Sequence, residues 1–444
     1  FEEILAYHLE QAQRLLSELG PLDDAGSDLG LRAAAHYMAS GRRASDRSDD
    51  RAAATLFQHA VDLLPESHPD RARAFYEVGR AAARSLDPRI AFAAFEAAVA
   101  AAATSGQRSI EWMARIGRST MQTLIDPLGK STDDLRAELT AARAELDGSG
   151  DDEALAVVWS GLAQVEWMPC RFDAAREAAM RAVDHARRWG DRPLLMDAMI
   201  LKLAAELLGS TSPAEGWPFL DDAVAEFGRD GFFGHVASVH EACFHAMSGD
   251  IERARRLIRE SEELAERFGA DFWATASYEF GGEIEMIAGN AEAAERAFRK
   301  EYDTHVRLGD EGHGSTGAAY LAFALARLGR FDEAEGLATT ARTLGAEDDV
   351  ATQATACSAQ ALVLSARGEH DEALDLARAA VEMYARGQSP WFHGNALMAL
   401  AAVCREAGSA GEAADAAAGA LAAYERKGIE PAAASARAFL DEVR

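Results

Sequence analysis

Residues 329–338 read GRFDEAEGLA and residues 368–377 read GEHDEALDLA; the two align at their turn, their acids and their alanines. An earlier copy, CRFDAAREAAM, occupies residues 170–180. Each starts as a short polar turn, places acids where a helix would begin and continues into an apolar helical stretch. Asp173, Asp332 and Asp371 are expected N-caps, and the acids behind them suit the positive end of a helix. Following the alanine that opens each stretch gives Ala175, Ala254, Ala294, Ala334, Ala373 and Ala413, at intervals of 79, 40, 40, 39 and 40 residues. The first interval is a double period. A small residue that returns with this regularity marks an array of stacked units rather than a globule with one core.

Each unit reads as two amphipathic helices. In four units alanine recurs at offsets 0, 4 and 7 of the second helix: 175/179/182, 334/338/341, 373/377/380 and 413/417/420. Those offsets share one helix face, and a stripe of alanines lets two helices approach closely. Twelve residues before each key alanine stands another small residue: Ala163, Ala242, Gly282, Ala322, Ala361 and Ala401. The pair forms a helical hairpin with a tight waist. Glycines at Gly190, Gly269, Gly309, Gly345 and Gly428 are expected to end second helices in the left-handed conformation. Ala53 and Ala94 keep the phase upstream, preceded by Gly41 and Ala82, and a unit near Leu135 follows the turn DPLGKST. A degenerate unit between Pro213 and Phe227 is interrupted by Pro213 and Pro218. Roughly ten units fit from residue 26 to the end, with residues 431–444 as a final solvating helix. No strand-like alternation of useful length occurs, so the chain is expected to be all-α.

The small residues on both helices resemble the motif of the tetratricopeptide repeat (TPR), over nearly the whole chain. Two features depart from it: the period is 40 rather than about 34, and the closing proline gives way to extra helix ending in glycine. The resemblance implies a TPR-like α-solenoid, a right-handed superhelix whose concave groove is lined by first helices. The opening segment, FEEILAYHLEQAQRLLSELGPLDD, is similar to the join in large bacterial ATP-binding signalling regulators of the AAA/STAND ATPase type. The run from Tyr7 to Ala12 and the triplet Leu19-Gly20-Pro21 carry that match. In such proteins an ATPase module, associated with an adenylate/guanylate cyclase or a DNA-binding domain, runs into a repeat array. On this basis residues 1–25 are a linker helix after an upstream ATPase module, and residues 26–444 are the array. The start at Phe1 rather than a methionine fits an excerpt of something longer.

Bulk composition narrows the function classes. Net charge is 45 − 73 = −28, which repels phosphate backbones and argues against direct nucleic-acid binding. No stretch approaches the roughly 18 apolar residues of a membrane span, and no secretory signal opens the chain. Cys170, Cys243, Cys357 and Cys404 lie far apart on helical patterns, without metal or disulfide spacing. They read as buried small hydrophobes in a reducing cytoplasm.

Several segments imitate catalytic motifs. Residues 312–317, GHGSTG, have the spacing of a dinucleotide fingerprint but no preceding strand, and are expected in an inter-repeat turn. Residues 128–132, LGKST, lack the glycine that lets backbone wrap a phosphate; Ser131 with Asp134 reads as a helix start. His240 and His245 are five apart, turning them about 140° from each other on a helix, and His235 repeats the mismatch. Glu166, Glu241, Glu283 and Glu285 read as solvated groove or surface residues. No nucleophile stands with a base, so neither catalysis nor a cofactor or metal is expected.

One constellation points to binding. Counting 21 and 22 residues back from the key alanines gives Phe232/Phe233, Phe272/Trp273, Gly312/His313, Ala351/Thr352 and Trp391/Phe392. Aligned in a solenoid, the aromatics form a ladder that grips a peptide or small ligand, or each packs as a staple on the preceding helix end. The expected function is a protein-interaction and regulatory array of a cytoplasmic bacterial signal-transduction protein. It would bind a protein, peptide or small-molecule inducer and relay that state to an ATPase-linked output. The alternative is an intramolecular scaffold or homo-oligomerisation surface without a ligand.

Overall fold

The computed structural model describes residues 2–85, 87–125 and 131–443. Twenty-two α-helices follow one another, with no strand among the described residues. They are α1 (Glu2–Leu19), α2 (Asp24–Asp46), α3 (Asp50–Leu63), α4 (Asp70–Arg84), α5 (Pro88–Ser105), α6 (Arg108–Ile125), α7 (Thr132–Leu146) and α8 (Asp152–Val165). Next come α9 (Phe172–Trp189), α10 (Arg192–Leu208), α11 (Pro213–Phe227), α12 (Gly231–Met247), α13 (Ile251–Arg267), α14 (Asp271–Ile287) and α15 (Ala291–Leu308). The chain ends with α16 (Glu311–Arg327), α17 (Phe331–Leu344), α18 (Val350–Ala366), α19 (His370–Ala385), α20 (Pro390–Glu406), α21 (Ala410–Lys427) and α22 (Glu430–Val443). Taken in chain order, α2 to α21 make ten successive helix pairs, and α22 follows the last of them.

The alanine register is the packing register. All twelve alanines at offsets 0, 4 and 7 of the four alanine-striped units are completely buried, and Ala163, Ala322, Ala361 and Ala401, twelve residues before their key alanines, are at most 1% exposed. Two hairpins solve the same contact differently. Phe57 and Phe298 occupy offset 4 of their second helices, and the residues opposite are Gly41 and Gly282. A Cβ on Gly282 would lie 2.4 Å from the Phe298 ring, and one on Gly41 would lie 2.5 Å from Phe57. The waist is filled by alanine against alanine or by glycine against phenylalanine, the missing Cβ making room for the ring.

Turn chemistry explains the phase. Five residues before a key alanine the backbone is left-handed at Gly249, Gly289, Gly329, Gly368 and Gly408, with φ between 74° and 88°. Ser48 (φ 59°) and Cys170 (φ 54°) hold the same position and are the two non-glycine residues with positive φ among those described. The expected N-caps Asp332 and Asp371 lie two residues inside: Arg330 and Glu369 hold the cap positions, and the acids sit in the first turn. Asp173 also lies in the first turn of α9, where its carboxylate accepts from the backbone N–H and hydroxyl of Ser210. Their service is to the helix dipole and to the neighbouring turn, not to their own helix start. Gly190, Gly269, Gly309 and Gly428 are left-handed as expected, whereas Gly345 (φ −72°) leaves α17 in extended conformation. Pro218 is accommodated inside α11.

The chain divides into two compact units: unit 1 is Phe1–Leu162 with Arg181–Ala198, and unit 2 is Ala163–Met180 with Met199–Arg444. In unit 1, α4 is tied to residues far along the chain by arginines. Arg73 Nη2 donates to Glu153 Oε1 at 2.7 Å, Arg80 Nη2 to Asp191 Oδ1 at 3.0 Å, and Arg84 Nε to Asp50 Oδ1 at 2.9 Å. Unit 2 uses main-chain carbonyls. Lys427, completely buried at the end of α21, donates to Glu206 O at 2.9 Å and Thr211 O at 2.6 Å. Ser389 Oγ donates to Leu208 O, Gln388 N to Cys170 O, and Val350 N to Met168 O. These bonds fasten the first segments of unit 2 to the turns of its last repeats.

Candidate functional site: the inner cavity of unit 2

First helices of successive repeats pack on one another, α12 on α14, α16 on α18 and α18 on α20, so they form the inner layer of unit 2. There α14, α16, α18 and α20, with Tyr384, Tyr424 and α22, line a partly open cavity of about 130 Å³. Its walls are aromatic: Phe298, Tyr320, Phe323, Tyr384, Trp391, Phe392 and Tyr424. The Tyr384 hydroxyl is held at 2.8 Å by Thr355 Oγ1 and donates to Ala351 O; that of Tyr424 donates to Asn395 Oδ1 at 2.8 Å. Tyr320 stacks on Phe298, centroids 5.5 Å apart. The hydrogen-bonding ends of Tyr384 and Tyr424 are therefore committed, leaving their rings as walls.

The acids of the inner layer are not solvated, contrary to the expectation from sequence. Glu166 pairs with Arg171 at 2.6 Å, Glu241 with Arg229 at 2.5 Å and Glu285 with Arg255 at 2.6 Å. Glu283 differs: it lines the cavity, is buried, and its Oε2 has no hydrogen-bond partner. Burial, reinforced by the charge of Glu279, raises its carboxyl to about 8. Burial also raises Glu279 to about 7, against the pull of His313, and holds Glu301 well above the ordinary carboxylate range. Glu301 Oε2 is likewise without a partner.

The sequence-derived aromatic positions fall into two groups. Phe232 and Trp273 meet across consecutive repeats at 4.8 Å between ring centroids, and Phe272 meets His313 at 5.5 Å, edge to face. These four are half-buried or exposed and link neighbouring repeats at the entrances of α12, α14 and α16. Phe233, Trp391 and Phe392 are buried; Phe233 packs on Phe227, whereas Trp391 and Phe392 line the cavity. Sequence reading missed Tyr384, Tyr424 and Glu283 as cavity residues. The two tyrosines had a signal, since each lies eleven residues after its key alanine, 373 and 413.

Among the described residues, one group could hold a metal: His305, Asp310 and His313, with ligand atoms within 4.8 Å of one another. Asp310 Oδ1 caps α16 by accepting from His313 N, while Oδ2 is shared by His305 Nδ1 at 3.2 Å and His313 Nδ1 at 2.8 Å. Burial works to raise the Asp310 carboxyl, but the two imidazoles hold it far below its usual range. The network is satisfied by its own hydrogen bonds.

The imitation motifs resolve as local structure. Residues 312–317 lie inside α16 rather than in a turn, so no loop is present to cradle a phosphate. Ser131 caps α7, accepting from Asp134 N at 3.1 Å; residues 126–130 of the DPLGKST segment lie outside the described residues. His240 Nδ1 meets Val236 O at 2.8 Å, and His235 joins Ser261 Oγ at 2.8 Å, which in turn joins Ser277 Oγ. His245 lies edge-on to Trp217. No helix among the described residues is long and apolar enough to cross a membrane.

Comparison with known proteins bears on the fold. No family model and no curated protein matches the chain. Among solved structures it is similar to the APC/C hetero-tetramer Cut9–Hcn1, at 15% identity and a TM-score of 0.55 over 99% of this chain and 92% of that one. It is similar also to a Rap protein complexed with Competence and Sporulation Factor, at 13% identity and a TM-score of 0.63, covering 85% of this chain and 100% of that one. A STAND protein with a tetratricopeptide repeat sensor from Pyrococcus horikoshii covers 88% of this chain at 11% identity. Its TM-score of 0.42 is too low to carry an argument. The fold is an all-α, TPR-like solenoid.

Proposed function

We propose that this chain is the ligand-binding repeat region of a bacterial signal-transduction regulator, taking a protein or peptide on the inner face of unit 2. The observation that carries this is the aromatic cavity on the first-helix layer, with a buried carboxyl oxygen of Glu283 that no described residue satisfies. The Rap protein of similar fold was solved with Competence and Sporulation Factor bound, a precedent for a ligand held by such an array. Binding that orders neighbouring repeats would spread along the stack, because each repeat contacts chiefly its neighbours. An ATPase-linked output, a cyclase or a transcription regulator, would receive that signal. The chain itself contributes recognition and not turnover.

Peptides selected from a random phage-displayed library and titrated by fluorescence anisotropy test this. Ser435 is exposed at the cavity, so Ser435→Trp obstructs it without entering the core. Loss of binding in that variant at unchanged helicity supports the assignment; equal affinity removes the cavity from it.

A second reading, a scaffold or self-association surface, is favoured by α1. That helix bonds to α2 through Tyr37 Oη to Glu10 Oε2 at 2.6 Å and Arg43 to Glu2 at 2.6 Å, yet leaves Ile4, Leu5, Leu15, Leu16 and Leu19 exposed. An apolar face of this kind suits an adjoining folded module, such as an upstream ATPase, or a second copy. Sedimentation of Leu15→Glu/Leu19→Glu against the parent chain separates the two: a drop in mass upon substitution assigns the face to self-association.

A further inference from the structure

We infer that the cavity of unit 2 receives the cationic head of its ligand, a guanidinium or ammonium group, between the aromatic walls and the Glu283 carboxylate. This rests on the ligand-binding reading of the inner face given above.

Size comes first. About 130 Å³ is room for about four waters and falls short of the roughly 300–1,000 Å³ of pockets that swallow a whole ligand. What enters is a single side chain or a small amine. Wall chemistry comes second. Tyr384 and Tyr424 spend their hydroxyls on Thr355, Ala351 and Asn395, and aromatic faces attract cations once water is excluded. Charge decides. Glu283 is 5% exposed with an oxygen that lacks any donor, whereas Glu241 on α12 and Glu285 on α14 are each matched by arginine. A buried acceptor left unmatched is costly, and a cation supplies the missing N–H with a charge-assisted bond.

The other charges near Glu283 keep the balance negative. Glu279 lies one turn away on α14 and Glu301 approaches from α15, both close enough to perturb its titration or be perturbed by it. Arg327 lines the cavity but is exposed and forms no ion pair with Glu283. A neutral apolar group would fill the walls and leave the Glu283 carboxyl unmatched; an anion would meet three buried carboxyl groups and no buried cation in the lining.

The test compares n-propylguanidinium with its uncharged isostere N-propylurea at millimolar concentration, by saturation-transfer NMR and calorimetry on the full chain above pH 8. The expected result is a preference of at least about tenfold for the guanidinium. Glu283→Gln, equal in volume, should fold with unchanged helicity and lose that preference. Arg327→Gln, an exposed change, should tighten guanidinium binding. A capped Ala-Arg-Ala tripeptide that outcompetes n-propylguanidinium places the cation on a peptide; the reverse order places it on a free small molecule, and both agree with the inference. Equal binding of urea and guanidinium, binding of neither, or a preference that survives Glu283→Gln overturns it. The peptide titrations with Ser435→Trp stand apart from these outcomes, so ligand binding by the inner face can hold where cation recognition fails.

Discussion

Unit 1 and unit 2 each hold together residues distant in sequence, and they do it with different partners. Unit 1 relies on arginine and carboxylate pairs: Arg80 of α4 reaches Asp191, 111 positions away, and Arg73 reaches Glu153, 80 positions away. Unit 2 relies on donors that reach main-chain oxygens: Lys427 to Glu206 and Thr211, and Ser389 to Leu208, 181 to 221 positions away. An ion pair needs two particular side chains, whereas every residue offers a carbonyl. The tie in unit 1 therefore constrains sequence at both ends and the tie in unit 2 at one end only. Their energetics differ too, since stranding a buried charge costs more than stranding a buried carbonyl.

The largest expected effect attacks unit 1. Arg80→Ala leaves the Asp191 carboxylate without its cation and takes from Glu77 and Glu153 one of the two arginines they share, and urea unfolding should show a loss of about 3–5 kcal/mol. In unit 2, Lys427→Met leaves two buried carbonyls without donors and should cost about 2–3 kcal/mol. Acidity sharpens that difference. Burial lowers the Lys427 amine from 10.5 to about 7, and the neutral amine still has two N–H groups for its two acceptors. Between about pH 7 and 10.5 the unfolded chain binds a proton that the folded chain does not. The contribution of this group to stability therefore rises with pH across that window, declines as pH falls from about 10.5 to about 7, and is flat below it. The Met variant, measured over the same range, should lack that rise.

Waist packing provides a mid-sized test common to both units. Gly282→Ala in unit 2 and Gly41→Ala in unit 1 each force a methyl into a phenylalanine ring and should cost about 1–3 kcal/mol in thermal or urea melts. Adding Phe298→Ala to Gly282→Ala recreates the alanine-on-alanine waist of other hairpins. The double variant should be less destabilised than the sum of the two single changes. The smallest effect is a gain. Ser48→Gly in unit 1 relieves a left-handed serine at a position where five other repeats carry glycine, and should raise stability by about 1 kcal/mol or less.

Much of the fold was legible because the repeat writes one contact many times. The buried stripes at 334/338/341 and 373/377/380 could be read as letters, and the tail predicted from residue 431 is α22. The cap positions were misplaced by two residues at Asp332 and Asp371, since an acid satisfies a helix dipole from the first turn as well as from the cap. The site was less legible. The aromatic positions were found by counting back from alanines, and Trp391 and Phe392 do line the cavity. Glu283 was grouped with Glu241 and Glu285 because its sequence surroundings are alike; what sets it apart is that no arginine pairs with it among the described residues. Closure of unit 2 was invisible, because Glu206, Thr211 and Leu208 contribute only their carbonyls.

The fastening of α21 by Lys427 has an evolutionary corollary. An open stack of hairpins can lengthen or shorten when a gene segment is duplicated or deleted in frame, each product remaining competent to fold. Unit 2 lacks that freedom. One hairpin added or removed between α12 and α19 would carry the lysine roughly 10 Å, the distance between packed helices, or more from its two oxygens. Copy number in this half of the molecule is therefore a fixed trait, and divergence must proceed by changing side chains within a set count of repeats.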